Sequence, residues 1–312
     1  MFLTKIIRQI TPRRKVIFVL TVTFFLTLMV VSFIRTVRDP SVHRSDLPIS
    51  TVEDALSSKS QASTNKAVVH LSHGDVSYEY GGNGRNVVFL HCWAGSKEYW
   101  KLTIQALTPH FRVYALDLKG FGDSDKPDDG YTIDDFTNSV VEFFNAVKID
   151  KAIIVGHSMG GKIAVDFTER YPDRVEKLVL VGTPIGKVSM GLRIFTFPII
   201  GRPWYWIVRK LVGHSLQTQE AKDAWQKPTT NSAIKSMKML SKTNIADKLP
   251  NIHVPTLVVT GERDRSANAK QNRVYLQNLK DVKLCIIRDA GHSPMCENPS
   301  AFSHLLLGFA MS

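Results

Sequence analysis

One stretch of the chain constrains its fold more than any other, because it joins an apolar strand to a helix through a very sharp turn. Residues 153–167 have the sequence Ile-Ile-Val-Gly-His-Ser-Met-Gly-Gly-Lys-Ile-Ala-Val-Asp-Phe. The β-branched start predicts a strand and the segment from Lys162 predicts a helix, so Gly-x-Ser-x-Gly must form the turn between them. Gly156 and Gly160 suit this turn, since a side chain at either position would collide with neighbouring backbone. The pattern therefore predicts that the Ser158 hydroxyl projects from the edge of a sheet.

A Gly-x-Ser-x-Gly pattern occurs by chance in roughly one 300-residue chain in ten, so the surrounding organisation has to decide its meaning. Eight short apolar runs predict strands: Ala67–Leu71, Val76–Tyr80, Val87–Leu90, Val113–Leu116, Ile153–Val155, Leu178–Val181, Thr256–Thr260 and Leu284–Ile287. Helical patterns fall between the later runs: Tyr99–Leu107, Ile133–Val147, Lys162–Tyr171, Ala267–Leu279 and Pro299–Phe309. This alternation is typical of an α/β fold with a mostly parallel sheet flanked by helices, here opened by a hairpin.

The alternation breaks once, between Thr183 and Val254, where no strand is predicted. The segment is rich in aromatic and apolar residues, and it predicts a helical cap at about 185–250, after the sixth strand. Ligand pockets in open α/β sheets lie at the carboxyl ends of the strands, which such an insertion would cover. We therefore expect Phe197 and Trp204 to contact substrate, while other aromatic residues of the cap pack on the main domain.

The N-terminal residues differ from the rest of the chain in composition. Residues 1–15 are basic, and Val16–Ile34 is an uncharged run of 19 residues. As a helix this run spans about 28 Å, close to the ~30 Å hydrocarbon core of a bilayer, so it predicts a transmembrane anchor. The alternative, a cleaved signal peptide, has a shorter apolar region and a small-residue cleavage site. Residues 35–64 are polar and predict a linker to an α/β domain at residues 65–312.

The positive charge of the chain is concentrated near this run. The formal net charge is +12, of which residues 1–44 hold +7. This distribution favours a bilayer with anionic lipids as the partner, and no motif for nucleic-acid binding accompanies it. Since more positive residues precede the run than follow it closely, the N-terminus is predicted to be cytosolic and the α/β domain extracytoplasmic.

Two later motifs supply what a reactive serine requires. Serine is a weak nucleophile unless a base takes its proton and an acidic residue orients that base. In a strand–Gly-x-Ser-x-Gly–helix architecture the acid and then the histidine follow the serine along the chain. Asp264 and His292 each follow an apolar strand in this order, and Glu262 is the alternative acid. We expect the three side chains to meet at one edge of the sheet.

The chain resembles the α/β-hydrolase fold family over residues ~65–312. The resemblance rests on five motifs: His91-Cys92-Trp93-Ala94-Gly95-Ser96, the segment 117–127, Gly156-His157-Ser158-Met159-Gly160-Gly161, Gly261-Glu262-Arg263-Asp264 and Gly291-His292. It implies Ser158 as nucleophile, His292 as general base and then acid, and Asp264 as the orienting carboxylate. It also implies an oxyanion hole made by the backbone N–H groups of Trp93 and Met159.

The same resemblance narrows the activity. Family members that open epoxides or remove halides use an aspartate where this chain has Ser158, so a serine hydrolase acting on a small or lipid-like carboxylic ester is expected. Acyl transfer, thioester cleavage and carbon–carbon hydrolysis on the same triad are alternatives, and a non-catalytic binding or scaffold protein is an alternative of another class. The anchor and aromatic cap also resemble membrane-bound monoacylglycerol-lipase-like members.

Two further points concern the site and its requirements. Cys92 stands where the family usually has glycine, and a cysteine there would be strained if the position required a positive φ. A nucleophilic role for Cys92 is disfavoured, because no second base accompanies it.

No cofactor and no metal are expected, since neither a dinucleotide-binding glycine pattern nor a ligand cluster is present.

Overall fold

The computed structural model describes residues 63–187, 196, 201–215 and 219–312. Eight strands are present: β1 Thr64–Leu71, β2 Gly74–Gly81, β3 Asn86–Leu90, β4 Arg112–Leu116, β5 Ala152–His157, β6 Val175–Val181, β7 Thr256–Gly261 and β8 Val282–Ile287. Each observed strand contains its predicted counterpart. They form one sheet in the order β1-β2-β4-β3-β5-β6-β7-β8, in which β2 is antiparallel to both of its neighbours and all other pairs are parallel. The predicted α/β fold with a mostly parallel eight-stranded sheet is confirmed.

Nine α-helices lie within the described residues: α1 Lys101–Leu107, α2 Ile133–Ala146, α3 Met159–Arg170, α4 Gly201–Ser215, α5 Gln219–Gln226, α6 Thr230–Leu240, α7 Ala269–Asn278, α8 Pro294–Glu297 and α9 Pro299–Met311. The predicted helix 99–107 is divided, because a 3-10 helix at Lys97–Trp100 precedes α1. Helix α3 begins three residues before its predicted start, directly after Ser158. The short helix α8, which follows His292, was not predicted.

The core explains why β5 carries the central motif. All six residues of β5 are buried, since β3 and β6 flank it on either side. Alternate residues of the strands point to opposite faces of the sheet. On one face, residues such as Ile153 and Val155 pack with aromatic side chains from the 3-10 helix and α9, among them Trp100 and Phe302. Helix α3 packs against β5 and β6. The strand that leads into Ser158 is thereby fixed on all sides.

A helical insertion follows the sixth strand, as predicted. Its helices α4, α5 and α6 are called the cap below, and a 3-10 helix at Ala246–Asn251 leads from them back to β7. The described part of this insertion contains no strand. Of the two residues predicted to contact substrate, Phe197 lies outside the described residues. Trp204 belongs to α4, but its side chain is not among those that the structure describes.

The N-terminal predictions fall outside the described residues. This applies to the basic segment 1–15, to the anchor Val16–Ile34 and to the linker as far as residue 62. Among helices of the described residues, none combines the length and the apolar character that crossing a bilayer requires.

Candidate active site

Ser158 occupies a strained turn between β5 and α3. Its backbone has φ 53° and ψ −107°, a conformation that residues with a side chain rarely adopt. The flanking glycines make the turn possible, as the sequence indicated. A Cβ on Gly156 would lie 2.5 Å from the Gly160 carbonyl oxygen, and a Cβ on Gly160 would lie 2.2 Å from the Leu90 oxygen. The start of α3 therefore lies in direct contact with the end of β3, and Ser158 lies at the apex of the turn.

The structure brings Ser158, His292 and Asp264 together, although they come from three different strand ends. The Nε2 atom of His292 lies 3.0 Å from the Ser158 Oγ, and its Nδ1 lies 2.9 Å from Asp264 Oδ2. The Asp264 side chain is only 1% exposed, whereas that of His292 is 40% exposed. A ligand can therefore reach the imidazole while the carboxylate stays shielded from water. Glu262, the alternative acid, instead accepts a hydrogen bond from the backbone N–H of Asp289.

Close approach at this site depends on another glycine. Gly182, directly after β6, has φ +49°, and a Cβ there would lie 2.8 Å from the His292 carbonyl oxygen and 3.0 Å from Asp264 Oδ2. A larger residue would therefore push the imidazole and the carboxylate away from the end of β6.

The charges of the pair are set by its surroundings. Burial by itself raises the pKa of the Asp264 carboxyl, but the facing His292 and the hydrogen bonds from His292 and Ser266 outweigh it and lower the pKa to about 2. Burial lowers the pKa of His292, and the charge and hydrogen bond of Asp264 reverse this effect, so the pKa lies above its ordinary value. Asp264 is thus ionised at neutral pH and accepts the Nδ1 proton. The lone pair of Nε2 then faces the Ser158 hydroxyl, which is the arrangement needed to take its proton.

Ser266 belongs to the same cluster, and the sequence analysis missed it. Its hydroxyl donates to Asp264 Oδ1 at 2.7 Å and also lies 2.8 Å from His292 Nδ1. The backbone N–H groups of Ser266 and Ala267 donate to the same Oδ1. A serine two residues after an aspartate is a common local turn pattern, and this was the available signal.

His157 is a second residue that the sequence analysis missed, because its place in the motif was treated as a spacer. Its Nε2 lies 2.8 Å from the carbonyl oxygen of His292, and the two rings are 4.9 Å apart. Burial, assisted by the nearby His292, lowers the pKa of His157 to about 3, so the ring is neutral. A neutral imidazole in this place donates its Nε2 proton to the carbonyl. His157 thereby holds the backbone of the residue that faces Ser158.

The two predicted oxyanion donors lie beyond the aligned ends of neighbouring strands. Leu90 of β3 pairs with Gly156 of β5 in parallel register, and Trp93 and Met159 each follow three residues later. Met159 is the first residue of α3, where backbone N–H groups lack intrahelical acceptors. Their assignment as oxyanion donors stays a prediction, which this register supports.

The loop that carries Trp93 is a tight turn. The Gly95 N–H donates to the Cys92 carbonyl at 3.1 Å, and the residue with positive φ in this turn is Ala94, at 57°. Cys92 is therefore not strained in the way that its departure from glycine implied. Burial, reinforced by the nearby Cys296, raises the pKa of the Cys92 thiol to about 12. The thiol stays protonated at neutral pH and is a poor nucleophile.

Directly after this loop, a buried lysine forms ion pairs with two aspartates of the segment 117–127, which gives that segment a structural role. Lys97, 1% exposed, lies with its Nζ 2.5 Å from Asp117 Oδ2 and 2.8 Å from Asp123 Oδ2. The backbone N–H groups of Lys97 and Asp123 donate to the same Asp117 carboxylate. Lys227, which follows α5, contacts the other oxygen of Asp123 at 2.6 Å. The network therefore extends from beneath the Trp93 loop to the cap.

A metal site is not evident in the part of the chain that the structure describes. No group of three His, Cys, Asp or Glu side chains there is arranged to hold a metal ion.

Comparison with known proteins supports the fold described above. A family model described as the alpha/beta hydrolase fold matches residues 85–207, a range that includes the Trp93 loop and the Ser158 turn. This match and the hydrolases among the similar proteins support membership of the α/β-hydrolase superfamily. The match ends before Asp264 and His292, which only the folded structure places beside Ser158.

Individual relatives are hydrolases of several kinds. The chain is 27% identical to a 2-hydroxy-6-oxo-6-(2'-aminophenyl)hexa-2,4-dienoic acid hydrolase of Metapseudomonas resinovorans, over 82% of this chain and 94% of that protein. It is 26% identical to a pimeloyl-acyl-carrier-protein methyl ester esterase of Vibrio vulnificus, over 76% and 98% respectively. Among solved structures, the enol-lactonase from Burkholderia xenovorans LB400 matches with a TM-score of 0.71 and 23% identity, covering 79% of this chain and 100% of that one. That last likeness concerns the fold alone.

Proposed function

We propose that this protein is a serine hydrolase that cleaves a small or lipid-like carboxylic ester through an acyl-enzyme on Ser158. One observation carries the proposal. An unbroken hydrogen-bonded relay runs from the shielded Asp264 carboxylate through His292 to a serine hydroxyl at the apex of a strained turn. A protein that only binds a ligand has no need of all three groups in this relation.

The chemistry follows from the positions of the atoms. The Ser158 Oγ attacks the ester carbonyl carbon while its proton passes to Nε2 of His292, and the resulting imidazolium is stabilised by ionised Asp264. The negative charge that develops on the carbonyl oxygen is stabilised by the N–H groups of Trp93 and Met159. Collapse of the tetrahedral intermediate releases the alcohol, which takes the proton from His292. Water then repeats the sequence at the acyl-enzyme and regenerates the serine.

The relatives support a substrate that contains a carbonyl carbon, and they differ in the bond. The Vibrio vulnificus relative is named for a methyl ester, which favours ester hydrolysis here. The Metapseudomonas resinovorans relative is named for a hydroxy-oxo-dienoic acid, so carbon–carbon hydrolysis is a second candidate on the same residues. Acyl transfer and thioester cleavage pass through the same acyl-enzyme and differ only in the group that is displaced or that accepts the acyl group.

The decisive experiment combines active-site labelling with turnover. We expect a fluorophosphonate probe to label the wild-type protein and to fail on Ser158→Ala, with nitrophenyl ester hydrolysis lost in parallel. Ser72→Ala is the matched control, because Ser72 is an exposed hairpin residue that contacts Glu142 far from the relay. Product analysis distinguishes the alternatives. Acylated products from added alcohols or thiols would indicate acyl transfer, and cleavage of a vinylogous diketone would indicate carbon–carbon hydrolysis. Folded wild type that binds esters but is neither labelled nor active would instead make the chain a binding protein.

We also propose that Val16–Ile34 anchors the protein in a membrane, with the N-terminus in the cytosol and the hydrolase domain on the other side. The uncharged length of this run and the positive charges before it support the proposal. In sealed vesicles that keep the cellular orientation, a tag after residue 312 should be protected from added protease. The protein should also stay in the membrane fraction after extraction with carbonate. Release of the full chain by carbonate would overturn the anchor.

A further inference from the structure

Trp93 occupies two structural environments at once. Its backbone belongs to the tight turn after β3, where its N–H is the proposed oxyanion donor. Its indole lies among the helices of the cap. The indole Nε1–H lies 3.1 Å from the Ala233 carbonyl oxygen and 3.1 Å from the Ser236 Oγ, and both of these acceptors are on α6.

The other two helices of the cap contact the same indole through aromatic rings. Tyr205 of α4 stands edge-on to it at a centroid distance of 6.4 Å, and Trp225 of α5 does so at 5.5 Å. Both are buried, with exposures of 1% and 7%. A single side chain from the main domain therefore touches all three helices of the cap through hydrogen bonds and ring packing.

The turn below the indole is stiff, so a displacement of the side chain reaches the backbone. The Cys92 carbonyl accepts hydrogen bonds from the Gly95 N–H and from the His91 ring, and that ring also accepts from the Leu118 N–H. The Cys92 carbonyl belongs to the same planar peptide as the Trp93 N–H, so these bonds hold the peptide that carries the proposed donor from one side, and the indole contacts hold Trp93 from the other. The second donor, Met159, is held by the close approach of Gly160 to the end of β3.

We infer that the cap sets the position of one oxyanion donor through the Trp93 indole, so that Trp93 acts as a positioning residue as well as a donor. This rests on the proposed function. Contacts between a substrate and the cap would then hold the indole and align the Trp93 N–H with the developing oxyanion. Binding energy from parts of the substrate remote from the ester would appear in kcat instead of KM. The cap thereby selects substrates by turnover rate.

Two variants separate this role from simple packing. Trp93→Phe keeps an aromatic ring but loses both indole hydrogen bonds, and Ser236→Ala removes one acceptor on the cap without touching the Trp93 backbone. We expect kcat to fall about tenfold in Trp93→Phe and about threefold in Ser236→Ala, with KM changed less than twofold. Affinity for a boronic acid that mimics the tetrahedral intermediate should fall by the same factors as kcat/KM. In the double variant, Ser236→Ala should add nothing to Trp93→Phe, since both act through one contact.

The control is Ser241→Ala, directly after the same helix, where the hydroxyl donates to the Lys238 carbonyl oxygen. It should retain wild-type kcat and boronic acid affinity. Labelling of wild type by the fluorophosphonate is measured first in the same preparations, and its absence would reject the proposed function and this inference together. Normal labelling, with kcat unchanged in both Trp93→Phe and Ser236→Ala, would reject the inference alone. So would additive losses in the double variant, or equal losses in Ser241→Ala.

Discussion

The Ser158 turn and the cap meet at the same site, but they are attached to the sheet in different ways. The turn is held by backbone: β5 is paired on both sides, and the glycines around Ser158 allow main chain to touch main chain. The helices of the cap are joined to the main domain by side-chain contacts. Trp93 reaches into its helices, and Lys227 links its end to Asp123.

Lys162 makes a third attachment, at the base of the insertion. Its Nζ, on a side chain 1% exposed, contacts the carbonyl oxygens of Ile185 and Gly186, where the insertion begins. It also contacts the carbonyl oxygen of Thr243, where the insertion ends. One buried ammonium group thus holds both stems together.

Apart from the Trp93 donor, which links the two regions, this difference lets the position of Ser158 and the shape of the pocket vary separately. Backbone geometry changes little when neighbouring side chains are substituted, so the chemistry at Ser158 is preserved. A side-chain attachment can be removed or altered by one substitution, so the pocket above the serine can change without loss of the fold. The predictions below test whether the two regions respond in this way.

The largest effect should come from breaking the relay on the backbone-held side. Asp264→Asn removes the charge that keeps the His292 pKa raised and favours the wrong tautomer, so kcat should fall about 10⁴-fold. In wild type, activity should rise with pH as His292 loses its proton, and the residual activity of Asp264→Asn should rise at lower pH. Steady-state kinetics across pH test both statements. Glu262→Gln is the control and should keep wild-type kcat; a loss comparable to that of Asp264→Asn would make Glu262 the orienting acid.

A smaller but still severe effect should follow from disturbing the turn itself. A methyl group on Gly160 would lie 2.2 Å from the Leu90 carbonyl oxygen and 2.7 Å from the His91 carbonyl oxygen, and these backbone atoms cannot move aside as a flexible side chain can. Gly160→Ala should therefore lower the free energy of unfolding by about 3 kcal/mol or more. Gly308→Ala in α9 is the matched control, since nothing lies within 4 Å of its Cβ position. It should be neutral or stabilise by about 0.5–1 kcal/mol. Urea unfolding of both variants makes the comparison, and equal stability would contradict the backbone argument.

The smallest effect concerns Lys162 and depends on pH. Burial lowers the pKa of this lysine to about 8, against 10.5 for an unperturbed side chain. Between these values the unfolded chain binds more protons than the folded one, so this group makes the protein more stable as pH rises through that window. We expect wild type, relative to Lys162→Met, to gain about 2 kcal/mol of unfolding free energy between pH 8 and pH 10.5. Parallel urea titrations of the two proteins measure the difference. A constant difference over this range would show that Lys162 does not titrate there.

The sequence was most informative where structure is dictated locally. Apolar runs and their spacing predict all eight strands, and Ser158, Asp264 and His292 were each predicted to follow a strand, as they do after β5, β7 and β8. The start of α3 was harder to predict. Its first turn contains Gly160 and Gly161, which have low helix propensity, and the helix is fixed instead by the contact with β3.

Features that depend on pairing between distant segments could not be predicted in the same way. His157 and His292 are 135 positions apart, and Trp93 and Ala233 are 140 apart. Nothing in the composition near these residues indicates their partners, because the contacts exist only once the sheet and cap have assembled. The concern about Cys92 was misplaced for a related reason, since the turn places its left-handed residue at Ala94.

The wide separation of the relay residues along the chain has a consequence for synthesis and folding. Ser158 and His292 are separated by 134 positions, and His292 follows β8, the last strand in chain order. During translation the serine turn can form early, yet its base is still missing until residue 292 has left the ribosome and β8 has joined the edge. In a nascent chain that lacks β8, Ser158 therefore has no base to activate it, and the chain should not react with the fluorophosphonate probe. Recovery of labelling after dilution from urea accordingly reports when Ser158, Asp264 and His292 have been brought together.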